Sequence, residues 1–255
     1  MHIVGIIPAR MEATRFPNKP MAKINGIPMI GHVYLRSKMC STIDEVYVAT
    51  CNEEIIDYIE SIGGKALMTS DKHERASDRT AEAMLIIEEE TGEKIDIIAM
   101  IQGDEPMLLP KMLEEAIDAL ICDEDLMITN LMASIKDRAE HSDPNDVKVV
   151  VDKDNYAMYF SREPIPSWKK GNANNHMLKQ LGIIFFRRNA LVTFNGTEQT
   201  PLEIIESVDM LRMLENGISV KMIHSDENIY SVDTEDDLKK VEVAMQGDTL
   251  LANYK

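Results

Sequence analysis

Cysteines, large aromatics and positive charge are all in short supply in this sequence. Three cysteines (Cys40, Cys51, Cys122) stand at wide, unpatterned spacing without a Cys-x-x-Cys pair, so neither a disulfide framework nor a zinc site is expected. One tryptophan and five phenylalanines against 18 methionines describe a core filled by flexible side chains. The 27 basic residues are outnumbered by 44 acidic ones, for a formal charge of -17. That balance excludes a surface that attracts polyanions generally, and nucleic acid is not expected as a partner. No apolar run reaches the roughly 18 to 20 residues of a membrane span. The opening stretch Ile3 to Pro8 is too short for an export signal and lacks a basic start, so the expected location is cytoplasmic, with no membrane partner. Gly-x-x-x-x-Gly-Lys-Ser/Thr and Gly-x-Gly-x-x-Gly are both missing, which disfavours kinase-type P-loops and ordinary dinucleotide binding. The six histidines show neither metal-ligand spacing nor a neighbouring nucleophile, so a hydrolytic triad has no support.

What is present reads as a globular chain of 255 residues, 44% hydrophobic and 28% charged. Short runs rich in Ile and Val alternate with longer stretches of helical period, the pattern of a parallel sheet covered by helices. Strands are expected near His2–Ile7, Glu45–Thr50, Ala66–Thr69, Ile95–Ile101 and Leu126–Ala133. A first helix is expected from Gly26-Ile27-Pro28 to Met39. A second is capped by Asn52 and stopped at Gly63-Gly64, a third runs from Ser77 to Glu90, and a fourth opens at Pro110. From Asp146 the pattern changes to a hairpin, Val147–Val151 and Tyr156–Phe160 around a four-residue turn. Arg162 to Met177 holds three breakers and is expected to be irregular. A strand over Leu181–Phe186, a helix over Pro201–Asn216, a strand over Ile218–Ile223 and a helix over Thr234–Met245 complete the chain.

In doubly wound sheets ligands bind beyond the carboxyl ends of the strands, and three such ends carry chemistry. The loop after the first strand holds Arg10, Arg15 and Lys19 with Thr14 as a hydroxyl donor. Three cations in ten residues of an acidic protein suit a nucleotide triphosphate, the alternative being a solvated loop with scattered basic residues. Gln102-Gly103-Asp104-Glu105-Pro106 follows a very apolar strand and offers a carboxylate to a hard cation such as Mg2+, unless it is an ordinary turn. Tyr230 to Leu238 contains Thr234 and Asp233, either of which can simply cap the last helix, unless Asp233, in one layer with Asp104, shares that cation.

Taken in order, Ile6-Ile7-Pro8-Ala9-Arg10 through Arg15-Phe16-Pro17-Asn18-Lys19-Pro20, Gly26-Ile27-Pro28-Met29-Ile30, Gln102 to Pro106, Asp146-Val147-Lys148-Val149-Val150, Tyr159-Phe160-Ser161-Arg162-Glu163-Pro164-Ile165-Pro166, Pro201-Leu202-Glu203 and Val232-Asp233-Thr234 closely resemble the 3-deoxy-manno-octulosonate (KDO) cytidylyltransferases. The likeness extends to about residue 245. It implies an α/β, Rossmann-like nucleotidyltransferase with a mixed central sheet, a single domain over residues 1–255 with a hairpin-bearing insertion near 133–178. It implies that the anomeric hydroxyl of an acidic 2-keto sugar attacks the α-phosphate of CTP and that pyrophosphate leaves, a step of lipopolysaccharide biosynthesis. By the same likeness Arg10, Arg15 and Lys19 grip the phosphates, Thr14, Arg79 and Gln102 belong to the nucleotide site, Asp104 and Asp233 hold Mg2+, and the chains pair as homodimers through the insertion.

Departures from the family pattern concern mainly the acceptor. Arg75 and Ala76 stand where Ser and Gly are usual, although Arg79 is kept. Gln180, Ile184 and Met210 replace a histidine, a tyrosine and a glutamine, with Asp209 beside Met210. The loss of hydrogen-bonding groups predicts a KDO-related acid with fewer hydroxyls, and a nonulosonate or a phosphonate is the alternative acceptor. Arg162 is expected to bind the acceptor's carboxylate. A non-catalytic nucleotide-binding regulator is the reading from another class, and a null pyrophosphate assay with intact CTP binding would favour it.

Overall fold

The first strand, β1 (Ile3–Ala9), is buried along its whole length, as expected of a strand covered on both faces. In a computed structural model of the chain, which describes residues 1–12, 16–168, 177–226 and 230–255, β1 forms the middle of a parallel sheet. After β1 the chain makes a 3-10 turn at Lys19–Met21 and a two-strand ribbon, β2 (Lys23–Ile24) and β3 (Ile27–Pro28). Asn25 and Gly26 both have positive φ, 49° and 89°, the pairing a tight hairpin turn requires. This ribbon, rather than helix, occupies Gly26-Ile27-Pro28, and α1 (Met29–Ser37) follows it.

The unit continues through β4 (Glu45–Thr50), α2 (Glu53–Ser61), β5 (Lys65–Met68), α3 (Ala76–Thr91) and β6 (Ile97–Met100). β1 pairs in parallel with β4 on one side and β6 on the other, and β4 pairs with β5. α2 shows why the pattern was readable. Glu53 and Glu54 complement its N-terminal dipole, Ile55 and Ile59 bury one face, and Gly63 at φ 73° ends it. Helix α4 (Pro110–Cys122) begins with proline in its first turn.

The chain forms two compact units, one of residues 1–114 with 229–255 and the other of residues 115–228. This division is wider than the 133–178 insertion expected within a single domain. The second unit contains β7 (Ile128–Ser134), α5 (Arg138–Ser142), β8 (Lys148–Val151), β9 (Ala157–Ser161), β10 (Leu178–Arg187), α6 (Arg188–Gly196), α7 (Pro201–Glu206), α8 (Met210–Glu215) and β11 (Lys221–Ser225). Its sheet is mixed: β11 runs parallel to β7, while β10 is antiparallel to β7 and β8, and β8 to β9. The predicted hairpin is therefore β8–β9, with Asp152 N–H donating to Tyr156 O across its turn. The single helix expected over Pro201–Asn216 is two, because Ser207 takes a left-handed conformation and the Glu206 carboxylate is held by Tyr159, Ser161 and the Arg162 N–H.

The chain then returns to the first unit with α9 (Glu235–Ala244), a 3-10 turn at Met245–Gly247 and another at Thr249–Asn253. Val232, Val241 and Met245 from this return join Ile24 and Met29 in one buried cluster.

Candidate active site

The loop after β1 is fixed by its own backbone and by one neighbour. Met11 N–H donates to Asn52 Oδ1 at 3.0 Å, and Met11 O accepts from Asn18 N–H at 3.1 Å. Asn52, expected as the cap of α2, makes no side-chain cap there, because its amide oxygen is spent on this loop. Asn18 adopts φ 58°, a left-handed conformation that asparagine tolerates, and Lys19 N–H closes the turn on Phe16 O. Lys19 is thereby delivered at the start of a short 3-10 turn.

Asp104 arrives from β6. Gly103 beside it sits in a tight place: a Cβ there would lie 3.2 Å from Ile30 Cδ1 and 3.4 Å from Pro8 O, so a side chain would ask the tip of Ile30 to give way by a few tenths of an ångström. Asp233 comes from the far end of the sequence. Val232 N–H donates to Asp104 O at 2.9 Å, which sets the two acidic residues in register. Capping of α9 falls to Thr234, whose hydroxyl accepts from Asp237 N–H while Asp237 accepts from Thr234 N–H. Asp233 is thus not the cap. The Lys19 ammonium lies 2.6 Å from Asp104 Oδ2 and 3.5 Å from Asp233 Oδ1, joining positions 85 and 214 residues distant in sequence.

These groups border a cavity of about 350 Å³ that also takes in Arg10, Arg79 and Gln102, a volume suited to a small ligand. Arg79 is 2% exposed, with Nη1 donating to Thr69 Oγ1 at 2.5 Å and Nη2 to the Cys51 thiol, so its guanidinium is largely a wall of the cavity. Thr14 and Arg15 lie outside the described residues. Glu12, Phe16, Met29, His73 and Glu74 also line the cavity and were not singled out as site residues from sequence. Glu12 and Phe16 sit inside the loop marked by its cations. His73 opens the segment before α3 that the resemblance linked to the nucleotide, and it pairs with Glu82 at 2.5 Å. Arg75, the unexpected cation of that segment, lines the same cavity.

The residues expected on the acceptor side all belong to the second unit. The Arg162 guanidinium donates to three carbonyls, Glu206 O at 2.7 Å, Pro144 O at 2.8 Å and Ser207 O at 3.1 Å. These bonds tie the end of β9 to the α7–α8 break. Gln180 donates its amide to Asn130 Oδ1 at 2.6 Å. Ile184 and Met210 are 4% and 0% exposed, and Asp209 immediately precedes α8. Two motif segments have structural explanations here. Lys148 is fully buried, its ammonium on the carbonyls of Asp143, Asp146 and Arg162 at 2.6 to 2.7 Å. Burial pushes its pKa down, and the nearby Asp146 and Asp143 oppose that. Glu203 of Pro201-Leu202-Glu203 forms a buried two-pronged pair with Arg212 at 2.6 and 2.7 Å.

The model of the cytidylyltransferase family matches residues 4–228. Among curated relatives, the 3-deoxy-manno-octulosonate cytidylyltransferase of Thermodesulfovibrio yellowstonii is 42% identical, over 95% of this chain and 97% of the relative. That of Geotalea daltonii is 41% identical over 94% and 97%. Among solved structures, CMP:2-keto-3-deoxy-manno-octonic acid synthetase complexed with CTP superposes with a TM-score of 0.88 at 35% identity, covering 96% of this chain and 99% of that one. The 4-diphosphocytidyl-2C-methyl-D-erythritol synthase of Anaerococcus prevotii, at 15% identity and a TM-score of 0.66 over 96% of this chain and 98% of that one, shares the fold. With the family model spanning most of its length and relatives of this identity aligned nearly end to end, the chain belongs to the 3-deoxy-manno-octulosonate cytidylyltransferase family.

Proposed function

We propose that this chain transfers CMP from CTP to the anomeric hydroxyl of an acidic 2-keto sugar of the KDO type, with Mg2+ as cofactor. The observation that carries the reading is the meeting of Lys19, Asp104 and Asp233 at one cavity, in a chain whose relatives are named for this reaction. In the reaction the hydroxyl oxygen bonds to the α-phosphorus, the bond from that phosphorus to the β-phosphate oxygen breaks, and pyrophosphate departs while the hydroxyl proton is released. Such transfers depend on positioning and on neutralising developing charge. Arg10 and Lys19 supply fixed positive charge at the cavity, and Gly103 lets backbone come close.

The residues present fit Mg2+. Two carboxylates already converge on one cation, the Lys19 ammonium, and carboxylate oxygens are the donors a hard ion takes. Among the described residues no group of three or more His, Cys, Asp or Glu could hold a metal. A pair of carboxylates completed by water and substrate phosphates is how Mg2+ is commonly bound. Asp104 and Asp233 would hold it, and when bound it would neutralise the phosphates and lower the pKa of the attacking hydroxyl.

For the acceptor, burial of Ile184 and Met210 weakens the argument for a less hydroxylated acid, since that argument needs their side chains to face a ligand. KDO itself is therefore the acceptor to test first. A homodimer is supported by apolar side chains left in the open on the second unit, Met158 on β9 at 64% exposure and Ile205 on α7 at 75%. Light scattering would read one mass of twice the chain. A cytoplasmic location follows from the need for CTP; among the described residues no helix is long and apolar enough to cross a membrane.

The test is pyrophosphate release with CTP, Mg2+ and a panel of KDO, less hydroxylated 2-keto acids and a nonulosonate. Turnover that requires both CTP and KDO is the expected result. CTP binding without release of pyrophosphate for any acid would instead establish the regulator.

A further inference from the structure

The return of the chain to the first unit ends in a network that the reaction does not use. Arg36, on α1, is fully buried. Its guanidinium pairs with Asp248, and its Nε–H donates to Tyr254 Oη at 2.9 Å. His32, one turn earlier and also fully buried, has Nε2 2.8 Å from Ile24 O and Nδ1 2.9 Å from Tyr254 Oη. A carbonyl can only accept, so Nε2 carries the ring proton. Nδ1 then accepts from the tyrosine hydroxyl, whose oxygen accepts from Arg36. Each group has a partner in this one arrangement.

The helix between this network and Asp233 is weakly held by itself. Of the ten residues of α9 only Val241 is buried, and its ion pairs, Lys239 with Asp236 and Lys240 with Asp237, are exposed and contribute little. Its docking rests on Val241 and the partly buried Leu238, on Val232 before it and Met245 after it in the same cluster, on the ties of Asn25 to Glu242, and on Asp248 and Tyr254 beyond. A ten-residue helix is a stiff rod of about 15 Å, so fixing its far end fixes the end that carries Asp233. The other side of the network leads back to the same place. α1 begins at Met29, which lines the cavity, and Ile30 packs against the Gly103 position beside Asp104.

We propose that residues 248–254 form a clasp on α1 that holds Asp233 in register with Asp104, with Arg36, His32, Asp248 and Tyr254 as positioning residues for the metal-binding pair. The proposal rests on the Mg2+ reading above. Its test uses the full chain, Tyr254→Phe and Asp248→Asn, with two readouts. The first is hydrogen exchange at the Val232 N–H that bonds Asp104 O, expected to speed up by about tenfold as the local opening becomes easier. The second is Mn2+ binding in the presence of CTP, followed by the electron-spin signal of free Mn2+ and expected to weaken about tenfold, as when a group supporting a metal ligand is removed. CTP binding without metal is expected to stay the same.

Unchanged Val232 exchange and unchanged Mn2+ affinity in either folded variant would overturn the clasp. So would an equal weakening of CTP alone, which marks general loosening of the cavity. If the unaltered chain with CTP binds no Mn2+, the metal reading fails, and the Val232 exchange decides the clasp by itself. Tyr254→Phe removes a single oxygen, so it keeps the test open if Asp248→Asn does not fold.

Discussion

Lys19 and Lys148 each place an ammonium among oxygen atoms, one in each unit, and they are built for different ends. Lys148 is sealed, and its three partners are main-chain carbonyls of the segments it joins. Those acceptors cannot leave without unfolding the loop that supplies them. Lys19 keeps 15% of its side chain exposed, and its partners are carboxylates at the edge of a cavity. Carboxylates can accept a metal ion, and an ammonium at a cavity can turn to a phosphate. The contrast separates a cation that holds backbone from one whose partners can be exchanged. Arg162 and Arg10 repeat it, since the first is tied to three carbonyls while the second lines the cavity.

The comparison breaks most readily at Lys148. Lys148→Met leaves three carbonyls without their donor and is expected to cost about 3 to 5 kcal/mol of stability, as when a buried polar network loses its charge; urea unfolding measures it. A loss below about 1 kcal/mol would mean that burial alone does not distinguish the two lysines. Lys19→Met should do the reverse. We expect kcat/KM for CTP to fall about 100- to 1000-fold, or roughly 3 to 4 kcal/mol of transition-state stabilisation, with unfolding unchanged to within about 1 kcal/mol. A smaller effect is expected at Arg162. Arg162→Gln gives up charged hydrogen bonds worth about 1.5 to 3 kcal/mol of stability and should move the Michaelis constants of CTP and acceptor by similar factors. A selective rise for the acceptor alone would favour the carboxylate role.

The smallest effect concerns pH. Burial, the largest influence on His32, lowers its pKa, and the positive charges of Arg36 and Lys255 add to this against the raising effect of the carbonyls of Ile24 and Ile27. The unfolded chain therefore takes up this proton first. The contribution of neutral His32 is complete above the unfolded value of about 6.5 and is lost as the pH falls through the window toward the depressed folded value. The slope is at most about 1.4 kcal/mol per pH unit. His32→Gln should remove that component from a plot of melting temperature against pH, and an unaltered plot would remove His32 from the account.

Much of the first unit was legible from sequence because its signals are local. An unbroken apolar strand such as β1 and the strand-end motif at Gly103-Asp104 announce themselves within a few residues, and the cavity gathers Arg10, Lys19, Gln102 and Asp104 as anticipated. The joining of Asp233 to them was the harder part to read, because a helix cap was an equally good local reading and the hydrogen bond from Val232 to Asp104 links positions far apart in the sequence. In the second unit local signals misled. Pro201–Asn216 has helical period, yet ties from Tyr159, Ser161 and Arg162 to Glu206 are made where the helix breaks at Ser207. The ties of Arg162 to three carbonyls were not legible either, since no property of its motif tells an arginine that braces carbonyls from one that binds a carboxylate. α6, between Phe186 and Pro201, was missed altogether: its fully buried face is only Ala190, Leu191 and Phe194, too short a pattern to stand out.

In the proposed function three side chains drawn from remote parts of the sequence, Lys19, Asp104 and Asp233, act together on CTP. Steady-state pyrophosphate release from CTP and KDO, measured side by side for the unaltered chain and Asp233→Asn, tests it most directly. Turnover dependent on Mg2+ is expected for the first, and a drop of about 100-fold or more for the second with metal-free CTP binding intact. Equal turnover by the two proteins would contradict it.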